Sequence, residues 1–538
     1  MSRGRWPVGS LSPVSVLSNP KAAMASLRPH RVEPRSVAEL ASLVAARPLA
    51  ETGTPSTADT AAAVVTGATL RAQEARPGDL FAALPGGRAH GADFAGQAVA
   101  AGAVAILTDE EGAGRATAAG GSVPVLVHPD PRSALGPLAA SIYGDPSQSL
   151  QVIGVTGTAG KTTTTYLLDA GLRAAGLTTG LVGTVETRVA GERLGSAFTT
   201  PEAPDLQALF AVMLERGVRS VSMEVSSHAL SLGRVAGTHF AVGAFTNLSQ
   251  DHLDFHPDLE HYFAAKAKLF DGRARREVVC VDGPWGARLV RDGTVTVSTG
   301  AGAATWTARD VEAMPSGEQR FEAVGPEGIV ARVWLRLPGS FNIANALVAA
   351  ACLHEAGVPV DAIERGLAAV DVPGRMERVA LGQPFVAMVD YSHKPAAVAA
   401  MLDAVRAQTR GRVITVLGCG GDRDTGKRPA MGETAARGSD LLIITDDNPR
   451  SEDPASIRAE MLRGAYDVPD VQRGDIVEIG DRRDAIVEAV RRAAPGDVLV
   501  VAGKGHETGQ DVAGVVHPFS DREVLAEAIE ARAVEEAR

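Results

Sequence analysis

The chain is predicted to be an α/β protein, on three observations. Buried-type apolar runs alternate with helical stretches along most of its 538 residues. A glycine- and threonine-rich loop joins one such run to a helix at 156–163, and three polar loops follow three apolar runs in the last third. At roughly 100–200 residues per domain, the length holds three or four domains. We place a small α/β domain at 36–148, a central P-loop ATPase-like domain at 149–373 and a C-terminal Rossmann-like domain at 374–538, behind an N-terminal extension at 1–35.

The extension carries Arg3, Arg5, Lys21, Arg28 and Arg31 and, through residue 32, no acid. Pro7, Pro13 and Pro20 interrupt any apolar or amphipathic helix a targeting segment needs, so disorder or an early start codon is expected, with Met24 as an alternative start. In the first domain, Arg76-Pro77-Gly78-Asp79 reads as a turn. A strand at 80–84, a helix at 93–102 and a strand at 104–107 follow. Residues 143–147 read as a linker. The central domain opens with a strand at 150–155 and a helix through Ala175, with further strands at 219–225 and 240–246. The last domain shows strands at 412–417, 440–445 and 497–502, and helices at 454–464, 481–494 and 521–533. That alternation implies a parallel sheet with its sites at the strand carboxyl ends.

Composition excludes several classes. Hydrophobic residues make up 45%, and 53 basic against 64 acidic residues leave a net charge of −11, which opposes a general nucleic-acid binder. Aromatics at 4% supply no stacking platform for single strands. Cys280, Cys352 and Cys419 lack CxxC spacing, so neither a disulfide framework nor a cysteine zinc site is expected, and a reducing, cytoplasmic location fits. No apolar run has the roughly 18 residues of a membrane span. A cytoplasmic enzyme acting on small molecules, as a monomer and without nucleic acid or membrane, is the expectation.

The loop Thr156-Gly157-Thr158-Ala159-Gly160-Lys161-Thr162-Thr163 is built for phosphate. Its glycines let backbone N–H groups close on phosphate oxygens, and the helix that follows adds its positive end. Lys161 can reach the β/γ-phosphates and Thr162 can ligate Mg²⁺, although the strict pattern's first glycine is Val155 here. Glu224, in Glu224-Val225-Ser226-Ser227-His228, offers magnesium a hard oxygen. His252, in the 247–256 segment, offers a nitrogen or a hydrogen bond. The spacing of His228, His252 and His256 matches no zinc-protease pattern.

The loop Thr-Gly-Thr-x-Gly-Lys-Thr-Thr resembles the ATP loop of the Mur ligases and of the related folylpolyglutamate synthetases, which form amide bonds through an acyl phosphate. The resemblance covers roughly residues 40–530. It implies ATP contacts at Gly157, Thr158, Ala159, Gly160, Lys161, Thr162 and Thr163, with later ones at Asn342, Arg375 and Asp390. It implies a carbamylated lysine (N6-carboxylysine) at Lys266, which composition alone would read as a solvated helix lysine, and so a catalytic set of Lys161, Lys266 and His252 with Thr162, Glu224 and His252 around Mg²⁺. It further implies that Thr199, Thr200, Ser226 and Arg234 contact a UDP-sugar peptide, whose uridine end makes the small domain UDP-binding. The family often has Asp-Ser-Arg ahead of Pro-Gly-Asp-Leu-Phe. This chain reads Leu70-Arg71-Ala72-Gln73, and no uridine contact is carried over there.

In the last domain Gly418-Cys419-Gly420-Gly421-Asp422-Arg423, Asp446-Asp447-Asn448-Pro449-Arg450 and Gly503-Lys504-Gly505-His506-Glu507 should converge on one crevice. Arginines beside carboxylates suit a zwitterionic amino acid. Asp-Asn-Pro-Arg matches the signature of family members that add diaminopimelate. The resemblance assigns that amine to Arg423, Asp447, Asn448, Pro449, Arg450, Gly503 and Glu507. Arg450 would pair with the distal carboxylate, which lysine lacks, and a buried guanidinium left unpaired costs about 2–5 kcal/mol. The expected activity is ATP-dependent addition of diaminopimelate to UDP-N-acetylmuramoyl-L-alanyl-D-glutamate. A ligase that adds lysine, or glutamate to folate, stays open at this point. A nucleotide-driven switch protein also stays open, but it has no use for an amino-acid crevice.

Overall fold

The computed structural model describes residues 27–49, 63–120, 123–194, 198–300, 302–314, 317–422, 424–536 and 538. Three sheets organise them. The first has five strands: β1 (Arg47–Pro48), β2 (Gly67–Thr69), β3 (Asp79–Ala82), β4 (Ala105–Thr108) and β5 (Val125–Val127), in the order β1-β5-β4-β3-β2. Leu80, Ile106 and Leu126 are fully buried in it, as runs covered on both faces must be. Helix α1 (Pro131–Ile142), capped by the Asp130 carboxylate on the Ser133 N–H, leads to the central domain.

The expected extension at 1–35 needs correcting at its end. Residues 1–26 lie outside the described residues, but 27–35 are docked. Leu27 packs on a central apolar cluster, Arg28 pairs with buried Asp79 at 3.0 Å, and the His30 and Arg31 N–H groups donate to Glu215 at 3.0 Å each. Charge composition reads such arginines as solvated. Asp79, taken out of water by the fold, needs a cation, and Arg28 supplies it.

The central sheet has eleven strands. They are β6 (Gln151–Thr156), β7 (Thr179–Val182), β8 (Thr187–Val189), β9 (Glu192–Leu194), β10 (Ser220–Glu224), β11 (Phe240–Phe245), β12 (Ala274–Cys280), β13 (Val295–Ser298), β14 (Trp306–Ala313), β15 (Gln319–Val324) and β16 (Val330–Leu335). Their order is β9-β8-β7-β10-β6-β11-β12-β13-β14-β15-β16. Strands β7, β10, β6, β11 and β12 pair in parallel, which puts the ends of β6, β10 and β11 side by side. The antiparallel run β14–β16 escapes the sequence reading because its strands are half exposed: β16 alternates exposed and buried residues and forms no continuous apolar run. Helices α2 (Lys161–Ala174), α3 (Ala203–Glu215), α4 (Ser227–Ser231), α5 (Leu259–Ala267), α6 (Ser340–Glu355) and α7 (Val360–Ala368) complete the domain.

The third sheet has six strands: β17 (Glu377–Arg378), β18 (Val386–Asp390), β19 (Val413–Leu417), β20 (Leu441–Ile444), β21 (Asp475–Glu478) and β22 (Val498–Ala502), in the order β17-β18-β22-β19-β20-β21. All pair in parallel except β17. Helices α8 (Pro395–Arg406), α9 (Lys427–Gly438), α10 (Pro454–Tyr466), α11 (Arg482–Arg492) and α12 (Asp521–Glu536) flank it, and the unforeseen hairpin β23 (Gly509–Val512) and β24 (Val515–Pro518) folds over its polar loops. Among the described residues no helix is long and apolar enough to cross a membrane.

Candidate active site

The phosphate loop leaves β6 and enters α2. Gly157 and Gly160 have φ of +151° and +87°, and a Cβ would fall 1.9 Å from Thr246 Oγ1 on the first and 2.2 Å from Asn345 Oδ1 on the second. Glycine is therefore required at both. Residues just beyond β11 brace the loop, which sequence reasoning did not assign: Thr158 N–H donates to the Asn247 carbonyl at 2.9 Å and Ala159 N–H to Asn247 Oδ1 at 3.0 Å. Lys161 Nζ folds back on the Gly157 and Thr158 carbonyls at 2.8 and 3.0 Å. Burial pulls its pKa down to about 8, aided by the nearby Lys394 and Arg375 cations and opposed by Glu224. Thr163 is buried behind it.

Lys266, at the end of α5, is 1% exposed. Its Nζ donates to the same Gly157 carbonyl at 2.8 Å and lies 4.4 Å from the Tyr262 ring centre. Burial holds its amine well below the ordinary lysine range, and the Lys161 and Lys394 cations push the same way. Asp251 is the carboxylate that answers them. It takes an ion pair from Lys394, which arrives from the C-terminal domain just ahead of α8, and lies 3.1 Å from His252 Nε2. His252, in left-handed backbone at φ 52°, is pulled down to about 4 by burial, against Asp251, and stays neutral at neutral pH.

Of the residues expected around magnesium, Thr162 and Glu224 meet: the hydroxyl donates to Glu224 Oε1 at 3.0 Å. Thr184 donates to the same carboxylate through its N–H at 2.8 Å and its hydroxyl at 3.1 Å. Hard oxygens at the loop's exit fit a Mg²⁺ carried in on phosphate, an ion that keeps several ligands from water and substrate. Among the described residues no group of three or more His, Cys, Asp and Glu is placed to hold a metal ion.

The four sugar-peptide candidates gather beside Glu224. Thr199 and Thr184 share a hydroxyl hydrogen bond at 3.0 Å, and buried Thr200 donates to the Glu224 carbonyl at 2.8 Å. The Ser226 N–H donates to Thr200 Oγ1 at 3.2 Å, while its own hydroxyl caps α4. Arg234 donates to the Thr200 carbonyl at 3.2 Å and pairs with Glu202 at 2.8 Å. Arg71, in the segment that departs from the family pattern, bonds both Asp205 oxygens at 2.9 Å and ties the first domain to α3.

At the hinge into the last domain, Asn342 is held by the Pro338 carbonyl at 2.7 Å and accepts from Asn345, whose side chain faces Gly160. The Asp390 oxygens take the Met376 and Ser392 N–H groups, each at 2.8 Å. The Arg375 guanidinium lies 4.2 Å from the Tyr391 ring centre.

The amine candidates converge at the ends of β20 and β22. Asn448 Nδ2 donates to Glu507 Oε2 at 2.9 Å, and Asp447 Oδ2 lies 2.7 Å from where a Cβ on Gly503 (φ +113°) would sit. Pro449 turns the chain so that Arg450, at φ 52°, donates its N–H to the Asp511 carbonyl of β23 at 3.0 Å. The Arg450 guanidinium makes one side-chain hydrogen bond among the described residues, to the Gly421 carbonyl at 2.5 Å. Arg423 lies outside the described residues. Sequence reasoning missed Lys504, Asp251 and Lys394. Lys504 and Asp251 stand inside segments it cited and Lys394 lies four residues after Asp390, but their pairing is a through-space property that no local pattern marks.

Three α/β domains in succession, with a phosphate loop in the middle one and three polar loops converging in the last, have the arrangement of an ATP-dependent ligase. Three family models match in chain order: Mur ligase family, catalytic domain, at 64–143; Mur ligase middle domain at 155–353; and Mur ligase, glutamate ligase domain, at 374–505. The chain belongs to the Mur ligase family. It is 52% identical over 508 residues to UDP-N-acetylmuramoyl-L-alanyl-D-glutamate--2,6-diaminopimelate ligase of Streptomyces coelicolor, covering 93% of this chain and 98% of that protein. The identity is 54% over 458 residues to the protein of the same name from Corynebacterium glutamicum, covering 84% and 89%. A solved structure of a ligase of that name matches with TM-score 0.67 at 29% identity, over 93% of this chain and all of that one. The fold is also that of a MurF ligase from Thermotoga maritima in complex with ADP, at TM-score 0.59 and 19% identity, covering 88% and 99%.

Proposed function

We propose that this chain is an ATP-dependent amide ligase of peptidoglycan precursor synthesis. It joins diaminopimelate to the D-glutamate γ-carboxyl of UDP-N-acetylmuramoyl-L-alanyl-D-glutamate. The γ-phosphoryl of ATP passes to the carboxylate, giving an acyl phosphate and ADP. The amine then attacks the acyl carbon, and phosphate leaves as the amide forms. Lys161 exchanges its two loop carbonyls for phosphate oxygens and stabilises the charge that develops in transfer. Thr162 and Glu224 would hold magnesium, with His252, which lies against Asp251, as the third expected contact; when bound, the ion neutralises phosphate charge. Thr199, Thr200, Ser226 and Arg234 orient the acceptor peptide next to the phosphate loop, which turns a bimolecular encounter into a positioned one.

Lys266 is suited to carbamylation. Burial and the neighbouring cations disfavour the charged form of its amine, so it can add CO₂ and release a proton, and the resulting carbamate anion relieves the crowding of positive charge. Isotopically labelled bicarbonate should give a carbamate resonance that Lys266→Ala removes.

The observation that carries the choice of amine is Arg450. Its backbone is pinned by the hairpin and its guanidinium is bonded only to the Gly421 carbonyl among the described residues, leaving donors for a distal carboxylate. Substrates are small molecules, and the chain would act as a monomer in the cytoplasm, where ATP is supplied. Phosphate release with the nucleotide dipeptide is the test. Diaminopimelate should stimulate it and lysine should not; stimulation by lysine alone would overturn the assignment. Mass spectrometry of the product from mixed amines reads the same choice directly.

A further inference from the structure

We infer that Lys504, a fully buried lysine that reaches no solvent, is the positioning residue of the amine site: it sets the orientation of Glu507 and Asn448 for a substrate ammonium. The inference rests on the amine-site reading above. Lys504 is 0% exposed, and its Nζ has two acceptors, Asn448 Oδ1 at 3.0 Å and Glu507 Oε2 at 2.9 Å. A buried ammonium is costly unless paired and hydrogen-bonded, and these two groups pair it.

The consequence is directional. Asn448 Oδ1 is occupied by Lys504 and by the Asp511 N–H at 2.9 Å, so its amide can only be oriented with Nδ2 toward Glu507, to which it donates at 2.9 Å. Glu507 Oε2 therefore takes two donors from the protein interior, while Oε1 makes no hydrogen bond among the described residues. The Glu507 side chain is 32% exposed while its lysine partner is sealed, so the carboxylate turns one filled oxygen inward and one open oxygen outward. An open carboxylate oxygen held rigidly beside Arg450's turn is a receptor for an ammonium next to a carboxylate, the grouping an amino-acid centre presents. Lys504 itself is too deep to touch that ligand. It acts through Glu507.

The experiment is a double-mutant cycle, run with the amine that the wild type turns over. Lys504→Met should raise KM for the amine by tenfold or more, with KM for ATP and for the nucleotide peptide within twofold. Glu507→Gln should do the same, and the double variant should be no worse than Glu507→Gln by more than threefold, because the lysine has nothing left to position. Multiplying effects, equal rises in all three KM values, or an unchanged amine KM would each overturn the inference. Should Lys504→Met fail to fold, Lys504→Gln, which keeps a donor, takes its place under the same criteria. Wild-type turnover with diaminopimelate judges the amine assignment separately: a wild type that prefers another amine sinks that assignment, while the cycle still judges Lys504.

Discussion

The two charged centres of this molecule are built in opposite ways. Around the phosphate loop, Lys161, Lys266 and Lys394 crowd together near Asp251, and burial and mutual repulsion push the first two below their ordinary range. In the C-terminal domain the buried cations are each met by an anion: Lys504 by Glu507, Arg428 by Glu452 and Arg482 by Asp521. The first centre is poised for an anionic ligand and is electrostatically incomplete without one. The second has its buried cations paired and holds its shape in advance. A site that must stabilise charge moving in a reaction gains from cations with unspent donors, whereas a site that must discriminate between similar amines gains from rigidity.

The contrast can be broken or sharpened by measurement, beginning with the largest effect. Lys161→Met should lower kcat for phosphate release by about 10³-fold, the scale of losing a donor to transition-state charge. A loss of only a few-fold would mean the crowded cations are not waiting for phosphate. Arg482→Met strands the fully buried Asp521 and should destabilise the C-terminal domain by about 3–5 kcal/mol in urea unfolding. Arg450→Ala should cost about 2–5 kcal/mol in kcat/KM for the amine while leaving KM for ATP alone. By comparison, Glu110→Gln, which breaks the exposed pair with Arg47, should change stability by less than about 1 kcal/mol.

Linkage adds a pH-dependent effect. With Lys161 at about 8 in the folded chain against 10.5 in the unfolded one, the unfolded state binds more protons between those values. The penalty is therefore full below pH 8 and fades as pH rises toward 10.5. Relative to Lys161→Met, the wild type should gain stability across that window, by no more than about one proton's worth of slope. ATP binding near pH 9 should take up protons in calorimetry, and the uptake should vanish in the same variant.

Much of this was legible in one dimension. The run 150–155, the glycines at 157 and 160 and the Gly-Lys-Thr-Thr that follows announce a strand, a tight turn and a helix, and β6 and α2 begin within a residue or so of those expectations. The half-exposed strands β14–β16 and the hairpin β23–β24 were not legible, since alternating or short exposed segments lack the long apolar run that marks a buried strand. Residues 27–35 were misread for a related reason: basic composition says nothing of a buried Asp79 waiting in another element.

By itself the sequence determined the α/β alternation, the phosphate loop and the residue types available to each crevice, because periodicity and glycine placement are local properties of a chain. Only the tertiary structure decided which lysines lost water, that Asp251 would meet Lys394 from another domain, and that Lys504 would stand behind Glu507. Desolvation and through-space charge depend on what surrounds a side chain in three dimensions, and neighbours distant in sequence supply most of that surrounding.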